Sequence, residues 1–380
     1  MIRPPRSRVA TPGRIAAAAL IAAALVVSGC STSMAPSATT ASSAAAPGTV
    51  TVSIDPLGND LDGAVTAQFG TAQPGRRVAL QRQADSGWEK VAEAQEDASG
   101  LATFKAPSGK YAYRVVAAAS DGAPEVTSAT IGVDQQWKPK MVDTFDGSTL
   151  DAKYWAPRLT GVYIASRKCS TPSVAMSTLK GGSLALSVAK SSPKQAAAAR
   201  KAAVGLGAPA ADPCPDGAYD NAMVASEGKF SFRYGLVAVR LKMPPEQGQH
   251  GSAWLQSTDG SGAEIDFIES FGLGKGVQYK LHNFDASGKL TSTGGYIKSI
   301  PAVKQASWWD EYHTVVLEWS QSEYVITIDG QEVVRTSKNV SQTDKFLILS
   351  LLTSDWELPR LDPSQLPSTM KVDWIGVWQK

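Results

Sequence analysis

Hydrophobic and polar residues alternate along most of the chain after residue 48, a pattern that predicts β-strands rather than helices. Residues 49–135 hold short alternating runs such as VTVSI, WEKVAEA and YAYRVVAAA, separated by Gly, Asp and Ser. Runs of this length and spacing indicate a small antiparallel β-sandwich. Residues 136–380 hold longer runs, among them GAEIDFIESF, EYHTVVLEWS and MKVDWIGVWQ. About 245 residues of strands without alternating helices predict two large packed antiparallel sheets, a sandwich or jelly roll.

The sequence of the first sandwich, residues 49–135, shows no candidate catalytic or metal-binding cluster. Its stretch RRVALQRQADSGWEKVAEAQEDASGLATFKAP resembles the immunoglobulin-like modules that precede catalytic domains in many secreted actinobacterial proteins. No cluster of His, Cys or carboxylate residues is visible in this part of the sequence. We therefore expect residues 49–135 to be a spacer or a weak binding module.

Residues 1–29 have the pattern of a signal peptide: four arginines precede an apolar run from Ile15 to Val27. This run is shorter than the roughly 20 residues that a membrane-spanning helix needs. The sequence VSGC that follows resembles the lipobox of bacterial lipoproteins, in which the cysteine, here Cys30, is acylated. The alternative is an ordinary secretory signal with a chance cysteine. Both predict an extracytoplasmic protein, lipid-anchored to the bacterial cell membrane or secreted, and residues 30–48 predict a flexible Ser/Thr/Ala/Pro tether.

The charge balance narrows the choice of partners. The chain has 37 Lys and Arg against 35 Asp and Glu, a formal net charge of +2. This near neutrality provides no basic field for nucleic acid, so we expect no nucleic-acid partner. Membrane contact is expected only through the N-terminal lipid.

Three carboxylates lie close together in Glu264-Ile265-Asp266-Phe267-Ile268-Glu269. In a regular strand Glu264 and Asp266 share a face and Glu269 points away. A β-bulge at Phe267 or Ile268 would bring all three to one face, and such bulges are common beside active sites. Crowded carboxylates raise the proton affinity of one while another stays ionised, as glycoside hydrolysis requires. A solvated polar strand face, or carboxylates that collect Ca²⁺, are the alternatives that this short motif leaves open.

The surrounding sequence favours a catalytic site over a solvated strand face or a Ca²⁺ site. GAEIDFIESF resembles the active-site strand of glycoside hydrolase family 16 in its bulged, laminarinase-like form. Other landmarks of the family follow the right order, including FDGSTLDAKYW, YGLVAVRLKMP, GSAWL, KLHNF and MKVDWIGVWQ. The resemblance covers residues 140–380 and implies a curved β-jelly roll that cleaves a β-linked polysaccharide with retention of configuration.

By motif position, Glu264 is the expected nucleophile and Glu269 the general acid/base, while Asp266 holds Glu264 and tunes the charge of the pair. This chemistry uses side chains alone, so we expect no required cofactor. A structural Ca²⁺ is possible, to which Asp373 could at most contribute at a remote site. The expected partner is a β-linked polysaccharide, and we expect the protein to be a monomer.

Four residues are candidates for binding substrate. Trp254 and Trp356 match cleft positions of the family, His282 falls where bulged members carry a histidine, and His250 replaces a cleft tryptophan of many β-1,3-glucanases. This departure, with Thr353-Ser354-Asp355 in place of a Gly-Gly pair, separates the chain from a typical laminarinase. A galactan or another β-glycan from a cell envelope is therefore an alternative substrate to a β-1,3-glucan. His313 is expected to be structural.

An Ala-rich insertion at about residues 191–220 predicts a turn or two of helix near Gln195–Val204. Cys169 and Cys214 bracket it. In an oxidising compartment these two predict a disulfide, with two buried free thiols as the alternative.

Two other functions stay open. A transglycosylase would use the same carboxylates with a sugar as acceptor, and a non-catalytic carbohydrate-binding lipoprotein could share the fold. The presence of both glutamates favours an enzyme.

Overall fold

The computed structural model describes residues 50–55, 62–108, 111–120, 123–131, 137–159, 164–285 and 287–380. The predicted signal peptide, the lipidation site Cys30 and the tether lie outside these residues. No helix among the described residues has the length and apolar character needed to cross a membrane.

Two small sheets form the N-terminal part of the described chain. Their strands are β1 (Val50–Asp55), β2 (Asp62–Phe69), β3 (Arg77–Ala84), β4 (Gly87–Gln95), β5 (Leu101–Ser108), β6 (Tyr113–Ala117) and β7 (Val126–Thr127). One sheet has the order β1-β2-β5 and the other β4-β3-β6-β7. Apolar side chains from both sheets share one core, with Val65 and Phe104 on one side and Leu80 and Val115 on the other. This packing is that of a small β-sandwich, while its kinship with immunoglobulin-like modules and its boundary at residue 135 stay predictions.

The larger part of the chain is also built of strands. They are β8 (Lys138–Asp143), β9 (Ala156–Pro157), β10 (Ser170–Pro172), β11 (Ser177–Leu179), β12 (Leu184–Lys190), β13 (Tyr219–Ala225), β14 (Gly235–Lys242), β15 (His250–Ser257), β16 (Glu264–Ser270), β17 (Val277–Phe284), β18 (Leu290–Tyr296), β19 (His313–Trp319), β20 (Tyr324–Ile328), β21 (Gln331–Thr336), β22 (Lys345–Leu352) and β23 (Ser368–Gln379). The helices are α1 (Pro193–Gly205) and α2 (Ala306–Trp309), with 3₁₀ turns at Val174–Met176, Pro301–Lys304, Leu358–Arg360 and Pro363–Gln365.

Twelve of these strands form two antiparallel layers. The front layer has the order β18-β17-β16-β15-β22-β13 and the back layer β12-β23-β14-β19-β20-β21. The layers join where β12 pairs with β13 over two residue pairs. One core fills the space between them, with Leu255, Ile265 and Leu349 from the front and Val239 and Val315 from the back. The predicted all-β jelly roll is confirmed, and the other face of the curled front layer is left for a cleft.

One strand is shorter than its alternating sequence suggests. The run KFSFRYGLVAVRLKM begins at Lys229, but β14 begins only at Gly235. Tyr234 and Gly235 both have positive φ, at 59° and 130°, which breaks the extended chain. At Gly235 a Cβ would lie 2.4 Å from the Trp378 carbonyl oxygen, so the close approach of β23 requires glycine.

The Ala-rich insertion folds against the jelly roll. Its helix α1 is longer than predicted, and Ser192 and Gln195 form a capping box at its start. The sulfurs of Cys169 and Cys214 are bonded in the structure, 45 residues apart in sequence. The disulfide ties the insertion to the segment that enters β10.

Candidate active site

The carboxylate motif occupies β16, near the middle of the front layer, and the strand is bulged. Ser252 pairs with Glu269 and Ala253 with Ile268, but Trp254 pairs with Asp266. The register therefore skips Phe267, and the pairing with β17 shifts at the same place. The predicted bulge is confirmed.

The bulge places the apolar side chains of β16 on one face and its carboxylates on the other. Ile265, Phe267 and Ile268 are at most 1% exposed and belong to the core between the layers. Two consecutive residues, Phe267 and Ile268, thus both pack inward, which a regular strand does not allow. The three carboxylates consequently line the opposite face.

That face forms a cleft of about 400 Å³. Its lining is mostly polar and comes from the front strands and from two loops: Ser166, Arg167, His250, Ser252, Trp254, Glu264, Asp266, Glu269, Phe271, Gln278, Lys280, His282, Ser350, Leu352, Ser354 and Trp356. A polar cleft with a few aromatic walls suits a carbohydrate, whose surface alternates hydroxyl groups with apolar ring faces.

Glu264, Asp266 and His282 form a tight group. One ligand atom from each lies within 4.8 Å of the others. His282 Nε2 is 3.6 Å from Glu264 Oε1 and 3.8 Å from Asp266 Oδ2, and its Nδ1 lies 2.6 Å from Ser292 Oγ. His282 is therefore anchored by Ser292 and faces both carboxylates without a short hydrogen bond to Asp266. Among the described residues, this is the group whose side chains could hold a metal ion. Its imidazole suits a transition metal better than Ca²⁺, which prefers oxygen ligands.

Burial and mutual repulsion raise the proton affinity of two of the acids. The pKa of Glu264 is raised to about 7, mainly by burial and then by repulsion from Glu269. The pKa of Asp266 is raised well above its ordinary value by burial, followed by the charges of Glu264 and Glu269. Glu264 and Asp266 therefore keep a proton to higher pH than free carboxyl groups do, and Glu264 must lose its proton before it can act as a nucleophile.

The buried amine of Lys345 opposes the rise in the pKa of Glu264. It is fully buried, and its Nζ donates to the Ala263 carbonyl oxygen at 3.0 Å and to Thr343 Oγ1 at 3.3 Å, with Ser257 Oγ as a third partner. Burial lowers the pKa of Lys345 to about 8. Its positive charge lowers the pKa of Glu264, whose backbone directly follows the Ala263 carbonyl. The sequence offered no signal for this role.

Two further cleft residues were not predicted from the sequence. Gln278 Nε2 donates to Glu269 Oε2 at 2.9 Å, so this neighbour on β17 orients the expected acid. Arg167 lies in the loop before Cys169, and its Nε is buried without a partner among the described residues. Burial lowers the pKa of Arg167, and the charge of Arg167 acts on Glu264. No motif marks either residue, since each reaches the site only through tertiary packing.

The four predicted substrate-binding residues all line the cleft. Trp254 is half-buried and donates from Nε1 to Ser350 Oγ at 3.1 Å, while Trp356 is 56% exposed. His250 Nδ1 lies 2.7 Å from Glu357 Oε2, and its ring stacks on Phe271 with centroids 5.8 Å apart. His250 is thus held in place by a buried carboxylate.

Two residues lie away from the cleft. His313 is 3% exposed, bridges Asp329 and the Trp308 carbonyl, and stacks on the Trp308 ring, so its structural role is confirmed. Asp373 forms an ion pair with Arg240. Within the described part of the chain, Asp373 belongs to no group of three potential metal-binding side chains.

A larger hollow of about 640 Å³ lies near the Glu264 end of β16. One of its lining residues is Gln256, the register partner of Glu264. Arg158 lines the hollow and donates to Gln256 Oε1 at 2.6 Å and to Glu227 Oε2 at 2.9 Å. This end of the site is rich in cations and hydrogen-bonding groups.

Comparison with known proteins gives a consistent result. The family described as Glycosyl hydrolases family 16 matches residues 170–376. The Crh-like protein CRH11 of Candida albicans is 30% identical over 159 residues, which are 42% of this chain and 32% of the relative. A Beta-glucanase of Fibrobacter succinogenes is 29% identical over 160 residues, 39% of this chain and 44% of the relative. The matches thus span less than half the length of either relative.

A solved structure shows the same fold. SCLam, described as a non-specific endo-beta-1,3(4)-glucanase from family GH16, superimposes with a TM-score of 0.50 at 19% identity. The match covers 66% of this chain and 94% of that chain.

Proposed function

The chain belongs to glycosyl hydrolase family 16, and on that premise we propose that it is an endo-acting, retaining hydrolase of a β-linked polysaccharide. One observation carries the proposal: a bulge in β16 turns Glu264, Asp266 and Glu269 toward one cleft. Retaining glycoside hydrolysis requires two such carboxyl groups on either side of the scissile bond.

In the first half-reaction the Glu264 carboxylate attacks the anomeric carbon. The bond to the leaving oxygen breaks as Glu269 donates a proton to it, and a glycosyl ester forms on Glu264. Gln278 holds Glu269 in position through the bond to Oε2. Asp266 lies beside Glu264, and burial together with the charges of Glu264 and Glu269 raises its pKa well above the ordinary value, so it holds a proton more readily than a free aspartic acid.

In the second half-reaction Glu269 acts as the base. It takes a proton from a water molecule, whose oxygen attacks the anomeric carbon and releases Glu264. Since both steps use side-chain carboxyl groups, no metal or organic cofactor takes part. Glu264 must be ionised to attack, so kcat/KM should rise with pH through about 7, the raised pKa of Glu264.

The substrate class that fits best is a β-glucan with β-1,3 or mixed linkages. The names of the Fibrobacter relative and of SCLam, a Beta-glucanase and an endo-beta-1,3(4)-glucanase, support this choice. The balanced charge of the chain also suits a neutral polysaccharide. His250 and its Glu357 partner alter the cleft, which keeps galactan as the second candidate.

The test is a panel of β-1,3-, β-1,4- and mixed-linkage glucans, galactans and envelope polysaccharide. It uses the wild type, Glu264→Gln and, as a matched control, Glu332→Gln, an exposed glutamate of strand β21. We expect one class to be cleaved by the wild type and the control only, with viscosity falling before many reducing ends appear. Undiminished cleavage by Glu264→Gln would refute the mechanism, and binding without cleavage by any protein would favour a carbohydrate-binding lipoprotein.

We also propose that the protein is exported, and that Cys30 is acylated. The Cys169–Cys214 disulfide supports export, because such bonds persist in oxidising compartments. In a bacterial host, Cys30→Ala should move the protein from the detergent phase to the aqueous phase. If the wild type and Cys30→Ala partitioned equally between the two phases, Cys30 would not be acylated, and the protein would be secreted without a lipid anchor.

A further inference from the structure

The group of Glu264, Asp266 and His282 combines two carboxylates with an imidazole in one corner of the cleft. We propose that this group binds a divalent transition metal ion, with Zn²⁺ as the probe, and that the bound ion reversibly inhibits the enzyme. The inhibitory role rests on the proposed function, because it is a regulation of the same site. Metal binding itself does not depend on that function.

The spacing of the three side chains is close to that of a zinc site. His282 Nε2 is 3.6 Å from Glu264 Oε1 and 3.8 Å from Asp266 Oδ2, and all three ligand atoms lie within 4.8 Å of one another. Ligands about 2.0–2.2 Å from a tetrahedral Zn²⁺ are about 3.3–3.6 Å from each other. Both distances from the imidazole are therefore within about 0.5 Å of what a bound Zn²⁺ requires.

The imidazole of His282 is held in an orientation that suits a metal. Its Nδ1 lies 2.6 Å from Ser292 Oγ, while Nε2 faces the two carboxylates. His282 pairs with Ser292 on one side and with Glu264 on the other, so the register of three neighbouring strands fixes both contacts. Metal-binding histidines generally have a partner on the second ring nitrogen, which sets the orientation of the ring.

Asp266 is the member of the group that points independently to a ligand. It is 6% exposed and lines the cleft, yet no residue in the described part of the chain donates a hydrogen bond to its carboxylate. Buried charges are normally paired or bind a metal ion. Glu269 lines the same cleft, so a divalent cation would also reduce the repulsion among three carboxylates.

A bound ion blocks the expected nucleophile. An oxygen of Glu264 that donates its electron pair to the metal is not free to attack the anomeric carbon, so no glycosyl ester forms. The inhibition involves no covalent or redox step, and removal of the ion restores the carboxylate. Since substrate and metal compete for Glu264, the ion should raise the apparent KM and leave kcat unchanged at saturating substrate.

Metal binding is measured first, by isothermal titration calorimetry of the full chain with zinc chloride. Every protein in this experiment carries Cys30→Ala, because Cys169 and Cys214 are bonded to each other and Cys30 would otherwise supply a competing thiol. Crystals soaked in zinc chloride give a second readout that needs no variant. We expect an anomalous peak at the zinc absorption edge among Glu264, Asp266 and His282.

Two histidine variants test which side chains hold the ion. His282→Ala should weaken Zn²⁺ binding by more than about 10-fold, since the loss of even an outer partner of a metal ligand costs that much. His250→Ala is the matched control, because His250 lines the same cleft but lies against Glu357. The control should keep the wild-type affinity for Zn²⁺.

Inhibition is then measured on the polysaccharide that the panel identifies. At ten times the dissociation constant found by calorimetry, Zn²⁺ should raise the apparent KM by about 10-fold, and EDTA should restore the original value. Ca²⁺ and Mg²⁺ at the same concentration are the ionic controls. Both prefer oxygen ligands and should leave KM unchanged.

The outcomes separate this inference from the proposed function. If the wild type binds no Zn²⁺, or if His282→Ala binds it as tightly as the wild type, the metal site is wrong. If Zn²⁺ occupies the site and KM does not change, the inhibitory role is wrong and the proposed function stands. If the wild type cleaves nothing, the proposed function and the inhibitory role fail together, while calorimetry and diffraction still decide the metal site.

Discussion

The two ends of the cleft differ in how they are built. At the Glu264 end, Lys345 and Arg158 place positive charge around the expected nucleophile, and their charges lower its pKa. At the Glu269 end, Phe271 and Trp356 form aromatic walls, and the neutral amide of Gln278 donates to the expected acid.

This difference indicates a division of labour along one strand. The proposed nucleophile has cations nearby that stabilise its ionised form. The proposed acid lies next to aromatic side chains and a neutral amide. Charged groups are thus concentrated at one end and aromatic groups at the other, five residues apart in β16.

The largest expected effect is the loss of the nucleophile. Glu264→Gln should lower kcat/KM by about 10⁴-fold or more, because no other group can form the glycosyl ester. Steady-state rates on the identified polysaccharide measure this, with Glu332→Gln as control. A loss of tenfold or less would mean that Glu264 does not form the ester.

Glu269→Gln should lower activity on the polysaccharide by about 10²–10⁴-fold, the usual contribution of general acid–base catalysis. On an aryl β-glycoside with a good leaving group the loss should be much smaller, because little proton donation is needed. With that substrate the rise of kcat/KM should move to lower pH, since repulsion from Glu269 raises the pKa of Glu264. An equal loss on both substrates would argue against the acid role.

Lys345→Met should change the pH dependence of kcat/KM rather than the binding of substrate. The lysine cation stabilises ionised Glu264, so its removal should raise the pKa of Glu264 and shift the rise of kcat/KM to higher pH. The variant should be several-fold slower at pH 6 and close to the wild type above pH 8, where Lys345 itself loses its proton at about 8. The exposed Lys338→Met is the control.

If Lys345 served stability alone, Lys345→Met would lower the melting temperature and leave the pH profile in place. Thermal unfolding measured beside the kinetics separates these results.

The smallest effect on catalysis is expected from the disulfide. Closing a 45-residue loop contributes on the order of 4 kcal/mol to the free energy of unfolding. Cys169→Ala with Cys214→Ala should therefore lower the melting temperature by several degrees and change kcat little at 25 °C. A large loss of kcat would show that the bond positions Arg167, two residues before Cys169, for catalysis.

The sequence predicted those parts of the site that depend on residues close together in the chain or on a family motif. The alternation along β15 and β16 gives the faces of both strands, and the spacing between Asp266 and Glu269 revealed the bulge. The family motif then placed Trp254, Trp356, His250 and His282, all of which line the cleft.

The remaining parts depend on contacts between distant segments. Lys345 opens a strand that is buried throughout, and nothing in KFLILSLL shows that its amine reaches the Ala263 carbonyl. Arg167 lies in a loop, and Gln278 is one polar residue among several on β17. Their roles follow from the register of β22 beside β15 and of β17 beside β16, which a single sequence does not specify.

The most direct test asks which carboxylate forms the bond to the sugar. The wild-type protein is treated with an activated 2-deoxy-2-fluoro glycoside of the identified β-linked disaccharide, digested, and sequenced by mass spectrometry. The account predicts one glycosyl group, carried by Glu264, in the peptide that contains GAEIDFIESF. A glycosyl group on Glu269, or no adduct from an enzyme that still cleaves the parent polysaccharide, would contradict it.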